Sequence, residues 1–475
     1  MLQTMTSSSV LDRLEQHMAA LSTPPSARGL ADAVSSVIRE GHLAEGDRLP
    51  PIRSVATELG LSPTTVSSAW AMLQRAGMVS ANGRNGTRIA PRQVGPMRYR
   101  SALRQGDALP VPPDDGARAH FTVDLSTGTP DPALLPDLAA ALRRVQPPGG
   151  ASSYLDEPVL PELAELLRAD WPFGAERITV VDGAMDALDL IATTHVRFGD
   201  RVAVEDPCFA PLLDLLDAVG ARVMPLRLDA DGVAPADLRR VVDAGVRAVF
   251  LQPRGQNPTG ISTTAARVAE LAEILSGRDV LVVEDDSLGS IATSPDVSLG
   301  ELLPQQTLHV RSYSKSHGPD LRLAALGGPQ HLIAPIVDRR FLGQGWTSRL
   351  LQRVLVTLLT EPSAVAAVDH ARAEYARRRR VVVSQLAAAG ITVPGSDGLN
   401  IWVPVADETA TLLLLATHGI GASSGRPFMV EDAGEPHVRI TAGLIGAEAT
   451  DDLDAAATAG VIAAAARAHR HPASR

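Results

Sequence analysis

The sequence predicts two unlike folds in one chain. Residues 10–90 read as a small helical head closed by a β-hairpin, and residues 123–470 as an α/β body with a mainly parallel sheet and a smaller α+β part at its end. Three observations predict this. Short amphipathic helices, punctuated by glycine and proline, fill the N-terminal stretch. Strand-like and helical runs then take turns along most of the chain. Between the two lies a proline-rich stretch, 91–122, with no convincing periodicity.

Composition narrows the function classes. The 475 residues are 45 % hydrophobic and 21 % charged, which suits a large core and argues against wholesale disorder. A net charge of -10 excludes a polybasic nucleic-acid coat, yet residues 1–95 carry nine arginines against seven acids, so one small DNA-reading domain fits. The single cysteine, Cys208, excludes an intrachain disulfide framework and a thiolate metal cluster. The histidines show no metal-ligand spacing, and no metal is expected. Without a long apolar run or a signal-peptide core, no membrane span is expected and the cytosol is the expected compartment.

In the head, Leu30, Val34 and Ile38 recur four apart and predict a helix over 30–42 with Gly41 as its stop. A second helix runs to Leu59, with Pro51 suited to its first turn, and Gly60 breaks it. Ser62 and Pro63 open a third as N-cap and first helical residue. That helix turns Val66, Ala69, Trp70 and Leu73 inward and leaves Thr64, Thr65, Ser67 and Ser68 near its front end. Strands Met78–Ser80 and Thr87–Ala90 follow, joined through Asn82-Gly83 and Asn85-Gly86. This order is a winged helix-turn-helix, whose third helix can reach base edges while its neighbour crosses the backbone. Ser62, Thr64, Thr65 and Ser67 are the candidate DNA-facing residues, with Arg48, Arg53 and Arg84 placed for phosphates. Prolines 91, 96, 110, 112 and 113 make 91–122 a semi-stiff linker.

In the body, strands are expected at 178–181, 201–204, 221–226, 248–252, 279–284, 307–311 and 323–326. Helices are expected at 159–170, 184–195, 210–219 and 262–276. A long helix over 345–383 leads to terminal strands near 398–403 and 436–441, and an alanine-rich helix begins near 454.

Of the 44 lysines and arginines, Lys315 is the only lysine. Coding bias toward arginine explains the rest. A position that keeps lysine is one where an amine must lose its proton and attack a carbonyl, which arginine cannot do. Lys315 follows a strand end, beside Ser312 and Ser314, with Arg322 shortly after. Upstream, another strand ends in Glu284-Asp285-Asp286, a polar turn reads Gln252 to Gly260 around Asn257, and Gly183-Ala184-Met185 opens a helix whose amides would face an anion. An amine, a strand-end acid, an asparagine turn and anion holders together match pyridoxal phosphate (PLP).

The body resembles fold-type I, aspartate-aminotransferase-like PLP proteins over its whole length. The head resembles the GntR winged-helix family through Gly46-Asp47-Arg48-Leu49-Pro50-Pro51-Ile52-Arg53 and Leu61-Ser62-Pro63-Thr64-Thr65-Val66. Joined in this order, they resemble MocR-type transcriptional regulators, and Glu205-Asp206-Pro207-Cys208-Phe209 with Gly318-Pro319-Asp320-Leu321-Arg322 resembles the PtsJ branch. The resemblance implies an α/β/α PLP-dependent transferase-like fold. It implies that Lys315 links covalently to the cofactor, Asp285 pairs with the pyridine nitrogen, Asn257 bonds the ring hydroxyl and Phe209 stacks on the ring. Ala184, Met185, Ser312, Ser314 and Arg322 would hold the phosphate, with Tyr154 contributed by a partner subunit. Arg439 would grip the carboxylate of a substrate or effector.

Two departures from the family pattern matter. Ser287 and Leu288 stand where a tyrosine usually follows the strand-end acid, and Phe209 replaces the usual stacking tyrosine. Both losses bear on transamination more than on binding. The preferred reading is a homodimeric, PLP-responsive regulator of double-stranded DNA, with PLP or an amino acid or amine as effector. The alternative is a PLP-dependent aminotransferase with an appended DNA-binding head.

Overall fold

The computed structural model describes residues 7–20, 26–39, 42–43, 46–75, 79–81, 86–89, 121–145, 153, 156–431, 434–446 and 452–468. Arg84, Tyr154 and the 91–122 linker, apart from its last two residues, lie outside them. The chain divides into two compact units.

The head contains α1 (Ser7–Ala20), α2 (Ala27–Arg39), α3 (Ile52–Glu58), α4 (Pro63–Arg75) and an antiparallel pair, β1 (Val79–Ala81) with β2 (Thr87–Ile89). The expected order is present, with α1 added in front. The sequence reading missed that helix, although Val10 and Leu14 are four apart and both buried. Pro51 is the N-cap of α3 rather than part of its first turn, and Gly60 adopts a positive φ of 62° that makes the turn into α4. Ser62 caps α4 as expected: its hydroxyl accepts the Thr65 N–H at 3.0 Å. The segment before α3 docks on the hairpin, with Gly46 N–H donating to Ile89 O and Leu49 N–H to Thr87 O. Leu30, Val34, Val55, Val66, Trp70, Leu73 and Val79 form one buried core.

The body's strands are β3 (Val123–Asp124), β4 (Arg177–Val181), β5 (Arg201–Asp206), β6 (Arg222–Asp229), β7 (Gly232–Val233), β8 (Ala248–Leu251) and β9 (Leu281–Asp286). They continue with β10 (Thr307–Ser312), β11 (Ala324–Gly328), β12 (Asn400–Pro404), β13 (Ile420–Gly421), β14 (Ser423–Ser424) and β15 (His437–Thr441). Eight of them form one sheet in the order β4-β11-β10-β9-β8-β5-β6-β7. Neighbours β10, β9, β8 and β5 are parallel, and β11 runs antiparallel to both β10 and β4. Val249, Phe250, Val282, Val283, Leu308 and Val310 are buried, as apolar runs covered on both faces require. The smaller part is an antiparallel sheet, β12-β15-β14, on a core that includes Leu125, Val382, Ile401, Val438, Ile440 and Ile462.

One expected element is corrected. The helix expected over 345–383 is two helices, Arg349–Thr360 and Pro362–Ala388, meeting at 73°. Pro362 cannot supply the N–H that would continue the first helix, and it starts the second. Among the described residues no single helix is long and apolar enough to cross a membrane.

Leu73 in α4 is fully buried. Leu73→Ala is predicted to destabilise the head by about 2–5 kcal/mol, read as an earlier urea transition of the full-length chain.

Candidate functional site

Because β4, β5, β8, β9 and β10 point the same way, their carboxyl ends meet at one edge of the sheet, the edge where open α/β sheets bind ligands. That edge gathers Gly183-Ala184 after β4, Asp206 to Phe209 after β5, Gln252 after β8, Asp285 at the end of β9, and Ser312 to Lys315 after β10.

Lys315 lies at the centre of a connected set. Its Nζ donates to the Gly128 carbonyl at 2.5 Å, and among the described residues no carboxylate pairs with it. Gly128 adopts a left-handed φ of 67°, which favours glycine, and a Cβ there would stand 3.4 Å from the Arg439 guanidinium. Arg439 is buried. It donates to the Ser126 carbonyl and, at 3.4 Å, to Asn257 Oδ1, and its guanidinium lies 4.8 Å from the Phe428 ring centroid. The Asn257 N–H donates to Gln252 Oε1 at 2.9 Å, and Gln252 Nε2 donates to Asp285 Oδ2 at 2.7 Å. Contacts thus join Lys315, Arg439, Asn257 and Asp285, which the sequence scatters over more than a hundred positions. Burial first, then the Arg439 guanidinium, pushes the lysine amine down to about 8, and Asp285 acts in the opposite direction. Lys315 therefore holds an appreciable neutral fraction near physiological pH, as a nucleophilic amine requires.

Strand alternation explains why one of three consecutive acids serves the site. Glu284 and Asp286 project to one side of β9, and Asp285 to the other. Glu284 accepts from Ser298 Oγ, from the Leu299 N–H and, at 2.9 Å, from His309 Nδ1. Asp286 pairs with Arg254 at 2.5 Å and Arg311 at 3.2 Å. Burial opposes the Asp286 charge, but His309 and Arg254 outweigh it and hold this carboxyl far below the usual range. Asp285 accepts from Ser287 Oγ at 2.6 Å and from Gln252, while burial pushes its pKa up. The Ser287 hydroxyl, read in the sequence only as a lost tyrosine, is thus a donor to Asp285.

The anion end of the edge is also assembled. Gly183, at φ 102°, caps the helix Ala184–His195, so the amides of Ala184 and Met185 lie in its first turn. Arg322 has a left-handed backbone, φ 49°, and its exposed guanidinium reaches Asp182 O at 3.3 Å. A Cβ at position 183 would press on that guanidinium at 3.1 Å, and the positive φ there favours glycine in any case. Ser312 Oγ accepts the Ser314 N–H at 3.3 Å. Phe209 is half-buried at the start of the helix Ala210–Ala218. An amine, an ionisable strand-end acid, an amide and a cationic cradle at a helix N-terminus fit the chemical groups of PLP.

In the head, Arg48, Arg53, Ser62, Thr64 and Ser67 are exposed and Thr65 half-buried. The hydroxyls of Ser62, Thr64 and Thr65 cluster at 2.7–2.8 Å at the front of α4. The Arg48 guanidinium lies against Gly86 of the hairpin, 2.8 Å from where a Cβ would stand.

The sequence reading did not single out Glu205, Ser126, Gly128 or the role of Gln252. The first lies inside a motif it quoted, and Ser126 and Gly128 are small residues that carry no chemical flag. Burial pushes the Glu205 carboxyl up to about 8, from an ordinary 4.5, with the Gln252 N–H acting against the shift. A carboxyl raised on folding gives its full stability below its unfolded pKa and loses it as pH rises through the folded one. Glu205→Gln is therefore predicted to gain urea resistance over the parent between pH 5 and pH 8, by up to about 1.4 kcal/mol per pH unit. Parallel pH dependences for the two proteins would contradict this.

Residues 122–452 match the family described as aminotransferase class I and II, and residues 26–89 match the bacterial regulatory proteins of the gntR family. The vitamin B6 salvage pathway transcriptional repressor PtsJ of Salmonella typhimurium is 35 % identical over 85 % of this chain and 91 % of its own length. The HTH-type pyridoxine biosynthesis transcriptional regulator PdxR of Corynebacterium glutamicum is 26 % identical over 83 % of this chain and 87 % of its own. Among solved structures, the α-aminoadipate aminotransferase LysN of Thermus thermophilus, complexed with N-(5'-phosphopyridoxyl)-L-leucine, matches with a TM-score of 0.64. It is 21 % identical, covering 72 % of this chain and 91 % of LysN, a likeness of fold alone. The chain belongs to the MocR-type family of transcriptional regulators, in which a gntR-type helix-turn-helix head is joined to an aminotransferase class I and II body.

Proposed function

We propose that this chain is a PLP-responsive DNA-binding regulator, in which residues 10–90 read double-stranded DNA, 91–122 link the parts, and 123–470 bind PLP as effector. The observation that carries the reading is the lone lysine, its amine pushed down to about 8 within contact distance of a chain leading to Asp285 and Asn257. Two relatives named for vitamin B6 salvage and pyridoxine biosynthesis, and a fold neighbour with a phosphopyridoxyl ligand, support the same cofactor.

When bound, PLP supplies an aldehyde open to amine attack and a ring that withdraws electrons. Lys315 would be the covalent attachment point. Asp285 would pair with the ring nitrogen, Asn257 would bond the ring hydroxyl, and Phe209 would stack on the ring face. The amides of Ala184 and Met185, the hydroxyls of Ser312 and Ser314, and Arg322 would hold the phosphate, joined by Tyr154 of a second copy in a homodimer. Arg439 holds the carboxylate of an amino acid effector. In the head, Ser62, Thr64, Thr65 and Ser67 face the bases, and Arg48, Arg53 and Arg84 the phosphates. The setting is the cytosol, where DNA and PLP are both available.

Mobility-shift titration of operator DNA with and without PLP tests the proposal. PLP should change affinity, footprint or oligomeric state, and Lys315→Ala should lose that response and bind PLP at least about tenfold more weakly, a loss of about 1.4 kcal/mol. Unchanged DNA binding on adding PLP to the parent protein would overturn it. In the head, Arg53→Ala should lower the slope of log affinity against log salt by about 0.9 without altering sequence preference.

A further inference from the structure

The register that pairs Leu251 of β8 with Glu284 of β9 sets the next residues, Gln252 and Asp285, side by side. Gln252 is buried and uses three polar groups at once. Its Nε2 donates to Asp285 Oδ2 at 2.7 Å, its Oε1 accepts the Asn257 N–H at 2.9 Å, and its own N–H donates to Glu205 Oε1 at 3.1 Å. Ser287 Oγ serves the other oxygen of Asp285. Both carboxylate oxygens therefore accept from neutral donors, which favour the charged form without cancelling its charge. An arginine there would neutralise the acid, and a leucine would leave it buried with half its donors gone.

We propose that Gln252 is a positioning residue of the cofactor site, keeping Asp285 ionised for a cationic ring nitrogen while tying Asn257 to it through one rigid amide. The inference rests on the cofactor reading given above. Other ionisable groups acting on Asp285 are Asp286 on its own strand, His309 on β10, Lys315 after it, and Glu205 and Cys208 on and after β5.

The test measures the PLP dissociation constant of the full-length parent, Gln252→Leu and Gln252→Glu from pH 5.5 to 8.5, by the absorbance of the bound cofactor. Gln252→Leu removes the donor, so its ratio to the parent constant should grow at least about tenfold toward low pH, where Asp285 protonates. Gln252→Glu is nearly isosteric and donates only when protonated, so its ratio should grow toward high pH instead. Opposite slopes support the positioning role. A pH-independent ratio in the folded variants would overturn it, since mere loss of packing weakens binding evenly. If Gln252→Leu does not fold, the slope of Gln252→Glu decides alone. A parent protein that binds no PLP at any pH sinks the cofactor reading and this inference together, whereas a binding parent with flat ratios sinks only the inference.

Discussion

A partly buried primary amine, with no carboxylate pairing with it among the described residues, is the constraint on which the body's carboxyl edge depends. Such an amine sheds its proton more readily, and the Arg439 guanidinium reinforces this, with Asp285 acting more weakly the other way. A carboxylate in direct contact would restore the charge and remove the nucleophile. The acid that the site does keep, Asp285, is fed by neutral donors, so the amine and the carboxylate share one site without collapsing into an ion pair.

This arrangement needs rigid support, and the sheet provides it from beneath. Asp286, Arg254, Arg311, Glu284 and His309 form a buried charged network on the other side of the same strands. Removing one member of such a network leaves a buried charge without its partner, which ties the position of β9 to that of β10. Beside it, the smaller subdomain brings Arg439 on β15 into the same contact set through Ser126 and Asn257. Residues far apart in sequence thus share one environment, and a ligand bound there would act on the large sheet and the small one together.

Much of this was legible in the sequence, for physical reasons that can be named. The central strands read clearly because a sheet covered on both faces needs unbroken apolar runs, as at Leu281–Val283 and Ala248–Leu251. Ser62 read clearly because a serine before proline at a helix start has one evident use. Lys315 stood out because arginine had replaced lysine everywhere else. Other features were hidden. The Gln252–Asp285 bond spans 33 positions and exists only through the β8–β9 register. The left-handed backbone of Arg322 is a tertiary outcome with no local signal. The break before Pro362 was missed because apolar periodicity runs through both helices, and only the proline marks the bend.

Incubation of the full-length protein with PLP, borohydride reduction and peptide mass mapping tests the central claim most directly. With one lysine in the chain, the account predicts close to one pyridoxyl group per subunit, on Lys315. A protein that retains no label, or carries it only on its N-terminal amine, would contradict the account.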